Sequence, residues 1–145
     1  MRISDVLRAK GDTVVTITPE TDVAGLLRLL ADHGIGAAVV SRDGSTVAGI
    51  VSERDVVRAL AARGVAVMSE PVSAIATTEV HTVLPGTLLE EVERLMTEGH
   101  FRHAPVVVDG ALSGIISIGD VVKKRIDELE AERATLTGYI TGERL

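Results

Sequence analysis

The sequence predicts an α+β fold made of two equivalent halves, and three observations lead to that prediction. Residues 49–57 return 65 positions later as residues 114–122, with glycine, serine, aspartate and two valines in the same places. Short β-branched runs and amphipathic helical segments follow one another in the same order in both parts of the chain. The chain has 145 residues, so a core within either half alone would be marginal. We therefore expect two β-α-β-β-α units that share a core, preceded by a short helix and followed by a long one.

The first half begins with a short helix and a strand. Ser4 or Asp5 would cap the helix, and Gly11 would stop it. Residues 14–17 are β-branched, which favours a strand, and Thr18-Pro19 ends it.

An amphipathic helix, a hairpin and a second helix complete the first half. Apolar side chains recur on one helical face from Val23 to Leu30, and His33-Gly34 ends that helix. The turn Arg42-Asp43-Gly44-Ser45 lies between two strands, and a helix stopped by Gly64 follows. The two strands are predicted at residues 36–41 and 46–52, and the second helix at residues 54–63.

The second half repeats this order. Pro85 stands 66 residues after Pro19, so the second hairpin is one residue shorter than the first. Thr87 and Glu90 have the spacing of a capping box, which predicts a helix that begins at Thr87. Its inward side chains would be Leu88, Leu89, Val92, Leu95 and Met96. Strands are predicted at residues 80–84, 101–108 and 112–117, with an Asp109-Gly110 turn and a linker at 66–78 that holds Pro71 and one short helix.

The last helix is predicted to run from Asp120 to Thr137, well beyond the length of its counterpart. Apolar residues on this helix alternate in spacing between four and three residues when Arg133 is counted as one position of the pattern. This pattern resembles a coiled-coil seam. The seam either packs on its own domain or meets a partner helix, and the sequence favours neither. Its members are Val122, Ile126, Leu129, Leu136 and Ile140. The predicted units are residues 1–66, 67–127 and a C-terminal helical extension at 128–145.

Composition narrows the class of protein. The chain is 46% hydrophobic but 1% aromatic, which predicts an aliphatic core and aliphatic walls around any bound base. A net charge of −6 argues against a nucleic-acid partner. No cysteine is present, which excludes disulfides and thiol chemistry, and no apolar run is long enough for export or a membrane span. We expect a soluble, cytoplasmic protein.

The repeated stretch has two interpretations. Ser52-x-x-Asp55 and Ser117-x-x-Asp120 fit helix caps, which stabilise by about 1 kcal/mol and need no ligand. However, the same signature stands twice at the same strand-to-helix junction. Gly49 and Gly114 would leave bare backbone beside it, which suits a phosphate or polyol. Serine can donate to phosphate, and an ionised aspartate can accept from ribose hydroxyls, so a ribose phosphate fits best.

Other chemistry has weaker support in the sequence. His81, His100 and His103 lack a carboxylate at metal-ligand spacing, so no metal site is expected. No nucleophile and base pair, phosphate loop or metal triad appears, so no enzymatic activity is expected either.

The doubled pattern resembles a pair of cystathionine-β-synthase (CBS) domains, also called a Bateman module. The likeness rests on Pro19 and Pro85, the Asp-Gly hairpins, and Gly-h-h-Ser-x-x-Asp-h-h (h, apolar), and it covers residues 4–125. The chain is most similar to stand-alone bacterial CBS pairs, whose tails resemble residues 139–142. The resemblance implies two motifs packed sheet to sheet with pseudo-two-fold symmetry and a cleft that offers two ligand sites. It also implies a disc-shaped homodimer.

Family ligands are adenosine compounds: AMP, ADP, ATP, NAD(H) and S-adenosylmethionine. By the resemblance, Asp55 and Asp120 would hold ribose hydroxyls, and Ser52 and Ser117 would approach ribose or phosphate. Backbone groups of two strand segments would border adenine, and a threonine of each first strand would enter the site. These further residues are Gly36, Ala37, Ala38, Arg102, His103, Ala104, Thr16 and Thr82.

The two sites are predicted to differ. The first has Glu53-Arg54 between serine and aspartate, whereas the second has Ile118-Gly119. Arg102 is the better phosphate candidate, and Arg54 is either a phosphate contact or a solvated residue. The expected function is a regulatory adenine-nucleotide sensor that dimerises and modulates an unidentified protein partner. The alternative is an interaction protein that needs no ligand.

Overall fold

A computed structural model describes residues 1–141, and its elements follow the predicted α+β order. Residues 142–145 of the predicted extension, including Gly142, lie outside the described residues. The elements are α1 (Ile3–Lys10), β1 (Thr16–Ile17), α2 (Val23–His33), β2 (Ala37–Val40), β3 (Gly49–Ser52), α3 (Glu53–Arg63), 3₁₀ helices at Val65–Ser69 and Val72–Ala74, α4 (Leu89–Gly99), β4 (His103–Val108), β5 (Ala111–Ser117) and α5 (Ile118–Thr141). The linker thus has two short helices, where one was predicted.

The first half holds a three-stranded sheet. β1 pairs in parallel with β2, and β2 pairs antiparallel with β3. The predicted end of α2 is confirmed, since Gly34 follows it in the left-handed region with φ of 62°. β1 is shorter than predicted. β3 also starts later than predicted, because residues 41–48 form a loop whose N–H groups donate to the Asp43 carboxylate.

The second half lacks the predicted strand at residues 80–84. Val83 alone forms a bridge, to Val106, with its N–H donating to the Pro105 carbonyl at 3.0 Å. In the first half, the Val39 N–H donates to Val15 at 3.2 Å and continues the ladder. Pro105 occupies the place of Val39 and has no N–H, so the pairing stops there. β4 and β5 form the predicted hairpin, with positive φ at Asp109 and Gly110.

The predicted starts of two helices are wrong. α4 begins at Leu89 rather than at Thr87, and the Leu89 N–H donates to the carbonyl of Met1 at 3.0 Å. The backbone of the N-terminus therefore replaces the capping box, and the Thr87 hydroxyl accepts from the Leu84 N–H instead. In α1 the cap residue is Arg2, and Asp5 reaches back to accept from the Arg2 N–H at 2.9 Å.

Each half is covered by the segment that precedes the other half. Ile3 donates its N–H to Thr87, and Val72 donates in the same way to Thr21. Both Ile3 and Val72 are fully buried. The N-terminal segment thus seals the second half as the linker seals the first.

Two aliphatic cores result, rather than the single shared core that we expected. One combines α1 with α4, β4, β5 and the start of α5, and the other combines α2, β2, β3 and α3 with the linker. The loop of the first half also touches the second, since the Leu112 N–H donates to Ser45 at 2.6 Å. The unit boundary predicted at residues 66 and 67 stays a prediction.

The seam on α5 faces solvent. The exposed fraction rises from 50% at Val122 to 62% at Leu136 and 81% at Ile140. The seam therefore does not pack on its own domain, one of the two alternatives that the sequence left open. Within residues 1–141, none of the helices combines the length and the apolar composition needed to cross a membrane.

Candidate functional site

A cleft of about 510 Å³ lies between the two halves. The first residues of β2, α3 and α5, the segment before β4 and part of the linker form its walls. Because α3 and α5 both begin here, the positive ends of two helix dipoles point towards the cleft. Such a place favours an anionic ligand.

Eight of the thirteen predicted site residues line this cleft. They are Gly36, Ala37, Ser52, Arg54, Asp55, Arg102, His103 and Ser117. The other five lie outside it. Ala38 and Ala104 are fully buried in the two cores, and Thr16, Thr82 and Asp120 are absent from the lining.

The Ser52 and Asp55 pair forms the capping box that the sequence predicts. Oδ2 of Asp55 accepts from the Ser52 N–H at 2.8 Å and from its hydroxyl at 3.1 Å. Within residues 1–141, no hydrogen bond or ion pair reaches Oδ1 of Asp55. The cap therefore leaves one carboxylate oxygen open to accept from a ligand.

The equivalent pair, Ser117 and Asp120, has an additional partner. Oδ2 of Asp120 accepts from the Ser117 N–H at 2.9 Å and pairs with Nζ of Lys10 at 2.5 Å. Burial opposes the ionisation of Asp120, but the hydrogen bonds from Lys10 and Ser117 outweigh it and lower the pKa of that carboxyl. The two junctions are alike in sequence and unlike in charge.

Cationic side chains line the same cleft as Asp55. Arg54, Arg58 and Arg102 all line the cleft, against Glu53 and Glu79 on the acidic side. Sequence reasoning missed Arg58, although its position one helical turn after Arg54 would have placed it on the same face. Burial, followed by the charge of Lys10, lowers the pKa of His103 and so favours its neutral form.

An aromatic surface lies in the cleft, which corrects the prediction of purely aliphatic walls. The rings of His81 and Phe101 stack at a centroid distance of 4.4 Å and are 4° from parallel. Phe101 is the one phenylalanine of the chain. The linker and the turn before β4 bring the two rings together, and neither segment has a recognisable motif.

The two repeated glycines do not leave backbone bare for a ligand, contrary to our interpretation. A β-carbon at Gly49 would meet the carbonyl oxygen of Thr77 at 2.8 Å, and one at Gly114 would meet Leu7 Cδ2 at 2.8 Å. Each glycine admits the segment that covers its half. In the part of the chain that the structure describes, no three His, Asp or Glu side chains are grouped to hold a metal ion.

Comparisons with known proteins place this architecture in one family. The model of the CBS domain matches residues 3–62 and again residues 72–127. The mitochondrial CBS domain-containing protein CBSX3 of Arabidopsis thaliana is 35% identical over 97% of this chain and 72% of its own. The crystal structure of the CBS-domain protein ATU1752 of Agrobacterium tumefaciens is 42% identical, with a TM-score of 0.83, over 86% of this chain and 99% of its own.

A third relative was solved with a ligand. The CBS domain protein PAE2072 of Pyrobaculum aerophilum, complexed with AMP, is 30% identical with a TM-score of 0.73, over 83% of this chain and 89% of its own. The family match covers both halves and leaves out part of the linker and the end of α5. The chain belongs to the CBS-domain family, as a tandem pair of CBS domains.

Proposed function

We propose that this protein is a regulatory module that binds one adenine nucleotide in the cleft beside Asp55. The observation that carries the proposal is the open Oδ1 of Asp55 in a cleft that also holds three arginines. A carboxylate that accepts from vicinal hydroxyls and guanidinium groups that bind phosphate are the two contacts that a ribose phosphate needs. The AMP complex of the Pyrobaculum relative supports the same ligand class.

The parts of the cleft match the parts of such a ligand. Asp55 would accept from the ribose hydroxyls, while Ser52 approaches the ribose. Arg54 and Arg102 would bind phosphate beside the helix N-termini. The flat surface formed by His81 and Phe101 would take the adenine ring by stacking.

Calorimetric titration with AMP, ATP, NADH and S-adenosylmethionine tests this proposal. Removing the charged acceptor in Asp55→Ala should weaken binding of the preferred nucleotide at least about tenfold, as expected for a hydrogen bond to a charged group. Asp22→Ala is the matched control, because Asp22 caps α2 through the Gly25 N–H at 2.7 Å and lies outside the cleft. Both variants lose a helix cap, but only Asp55→Ala should lose affinity. No heat with any nucleotide, or equal affinity in both variants, would refute the proposal.

The regulatory output would run through α5. Ile118 and Gly119 line the cleft at the start of this helix, and the exposed seam lies further along the same helix. We infer that the seam binds a second copy of the chain, so that a ligand at the helix start influences a dimer and, through it, a protein partner. Binding rather than catalysis is the proposed role. Release of product from any of these nucleotides by pure protein, lost in Asp55→Ala, would overturn that part.

The exposed seam also favours a second candidate, an interaction protein that needs no ligand. Leu129 is 54% exposed and Leu136 62%, and they lie in one apolar row along α5, the kind of exposed patch that marks an interaction site. Under this candidate, the dimer forms with the same affinity with and without nucleotide. A shift of the dimer dissociation constant on addition of AMP or ATP would decide for the nucleotide sensor.

A further inference from the structure

The two predicted ribose carboxylates have different partners, although within residues 1–141 no hydrogen bond or ion pair reaches Oδ1 of either one. Asp55 forms no ion pair within residues 1–141, whereas Asp120 pairs with Nζ of Lys10 at 2.5 Å. The same ammonium group also donates to the carbonyl of Ile115 at 2.9 Å. Lys10 is thus held by two acceptors at the strand-to-helix junction of the second half, the place where a ribose would have to bind.

The position of Lys10 is set by a buried helix. Ile3 and Val6 of α1 are 0% and 1% exposed, and they pack in the core of the second half. Leu7 lies over Gly114, where a β-carbon would stand 2.8 Å from Leu7 Cδ2. Because α1 is anchored on β5 in this way, Lys10 at its end is already held close to Asp120. The ion pair therefore forms without the entropy cost of ordering a mobile chain end.

The ion pair between Lys10 and Asp120 is partly shielded from solvent. The side chains of Lys10 and Asp120 are 30% and 22% exposed. A charge-assisted hydrogen bond in such surroundings is stronger than one between solvated side chains. The first half has no counterpart. The linker, which covers that half, brings Glu79 rather than a lysine to the cleft, and Glu79 carries the wrong sign to neutralise Asp55.

We propose that Lys10 is a built-in occupant of the second carboxylate, so that the CBS pair binds one nucleotide, at Asp55, and excludes a second one at Asp120. This inference rests on the proposed nucleotide site and assigns the difference between its two halves to one residue outside the motifs. Lys10 shares Oδ2 of Asp120 with the Ser117 N–H, so a nucleotide at Asp120 meets a carboxylate whose charge is already balanced by an ammonium group held in the junction. Lys10 is therefore a specificity-determining residue, and it acts through occupancy rather than by touching the bound ligand.

The number of bound nucleotides per chain tests the proposal. Lys10→Met keeps the length of the side chain and removes its charge, and Arg8→Met is the matched control on the same helix, since Arg8 pairs with Asp5 at 2.9 Å. Calorimetry with AMP and with ATP should give one equivalent for the wild type and Arg8→Met, and two for Lys10→Met. In the double variant Lys10→Met/Asp120→Asn, the second equivalent should weaken at least about tenfold, since the charged acceptor is gone.

The possible results distinguish a failure of the inference about Lys10 from a failure of the proposed nucleotide site. One equivalent in both the wild type and Lys10→Met would overturn this inference and leave the site at Asp55 standing. Two equivalents of equal affinity in the wild type would also overturn it. If neither AMP nor ATP binds any variant, the proposed nucleotide site itself fails, and this inference falls with it.

A second measurement needs no ligand. Lys10 lies near His103, and its positive charge helps burial to lower the pKa of that imidazole. An NMR titration should therefore show a higher midpoint for His103 in Lys10→Met and an unchanged midpoint in Arg8→Met. An unchanged midpoint in Lys10→Met would show that the ammonium group does not occupy the junction, and would overturn the inference.

Discussion

Gly49 lies so close to Thr77 that a β-carbon at position 49 would stand 2.8 Å from the carbonyl oxygen of Thr77. That oxygen is fixed, because it accepts from the Ile50 N–H at 2.9 Å while Thr77 donates back to Ile50 at the same distance. The glycine of the repeated motif is therefore required by the contact between the linker and β3. This contact holds the linker residues that continue into the cleft.

Gly49→Ala is expected to destabilise the protein by about 1–3 kcal/mol, the usual cost of forcing an extra carbon into a closed space. Urea denaturation followed by circular dichroism measures the change. Gly114→Ala is the matched variant, because the atoms there belong to the flexible end of Leu7 rather than to backbone. It should cost less, and an equal or larger loss at Gly114 would contradict this explanation.

The duplication allowed most of the fold to be predicted, because each half carries the same local signals. What could not be predicted depends on contacts between distant residues. The capping box at Thr87 satisfies every local rule, yet the Leu89 N–H takes its acceptor from Met1. The strand expected at residues 80–84 fails because Pro105, on another strand, has no N–H to offer.

The candidate site shows the same division. Ser52 and Asp55 could be found from spacing alone, because a capping box lies within four residues. The ion pair between Lys10 and Asp120 joins residues 110 positions apart, and no periodicity connects them. The stacking of His81 on Phe101 likewise depends on the path of the linker. Sequence reasoning therefore identified the repeated motif and missed what covers it.

Replacing Pro105 tests why the second sheet has two strands. Pro105→Val restores the N–H that Val39 provides in the first half, where it donates to Val15 at 3.2 Å. We expect this N–H to donate to the carbonyl of His81, so that the bridge at Val83 becomes a short parallel strand. Hydrogen exchange followed by NMR should show a protected amide at position 105. Exchange as fast as in the exposed residues of the turn at Asp109 would contradict the explanation.

Asp43 should titrate far below an ordinary aspartate. Its Oδ1 accepts from the N–H groups of Thr46 and Ser45 at 2.8 and 2.9 Å, and these bonds lower its pKa to about 2. Because the folded pKa lies below the unfolded one, the carboxylate stabilises the loop above about pH 4 and loses this contribution as the pH falls towards 2. An NMR titration of the Asp43 carboxyl carbon measures the midpoint directly.

Asp43→Asn provides the control for that titration. The variant should be less stable than the wild type at pH 7, and the difference should shrink as the pH falls from 4 to 2. The Leu112 N–H donates to the carbonyl of Ser45 at 2.6 Å. In the variant, this Leu112 amide should be less protected against hydrogen exchange. A midpoint near 4 in the wild type, or a stability difference that does not change with pH, would contradict the assignment.

If the seam on α5 joins two copies of the chain, two substitutions in it should change self-association in opposite directions. Leu129 is 54% exposed, so Leu129→Glu should leave the fold intact while placing a charge in the interface between two copies, and the dimer should dissociate. Arg133 takes an apolar place in the seam, so Arg133→Leu should tighten the dimer at least about tenfold. Analytical ultracentrifugation over a range of concentrations measures both.

Val108→Glu, which changes an exposed valine at the end of β4, is the control and should leave the association constant as it is. If Leu129→Glu and Arg133→Leu shift the dimer in the same direction, or not at all, the second copy does not lie on this seam.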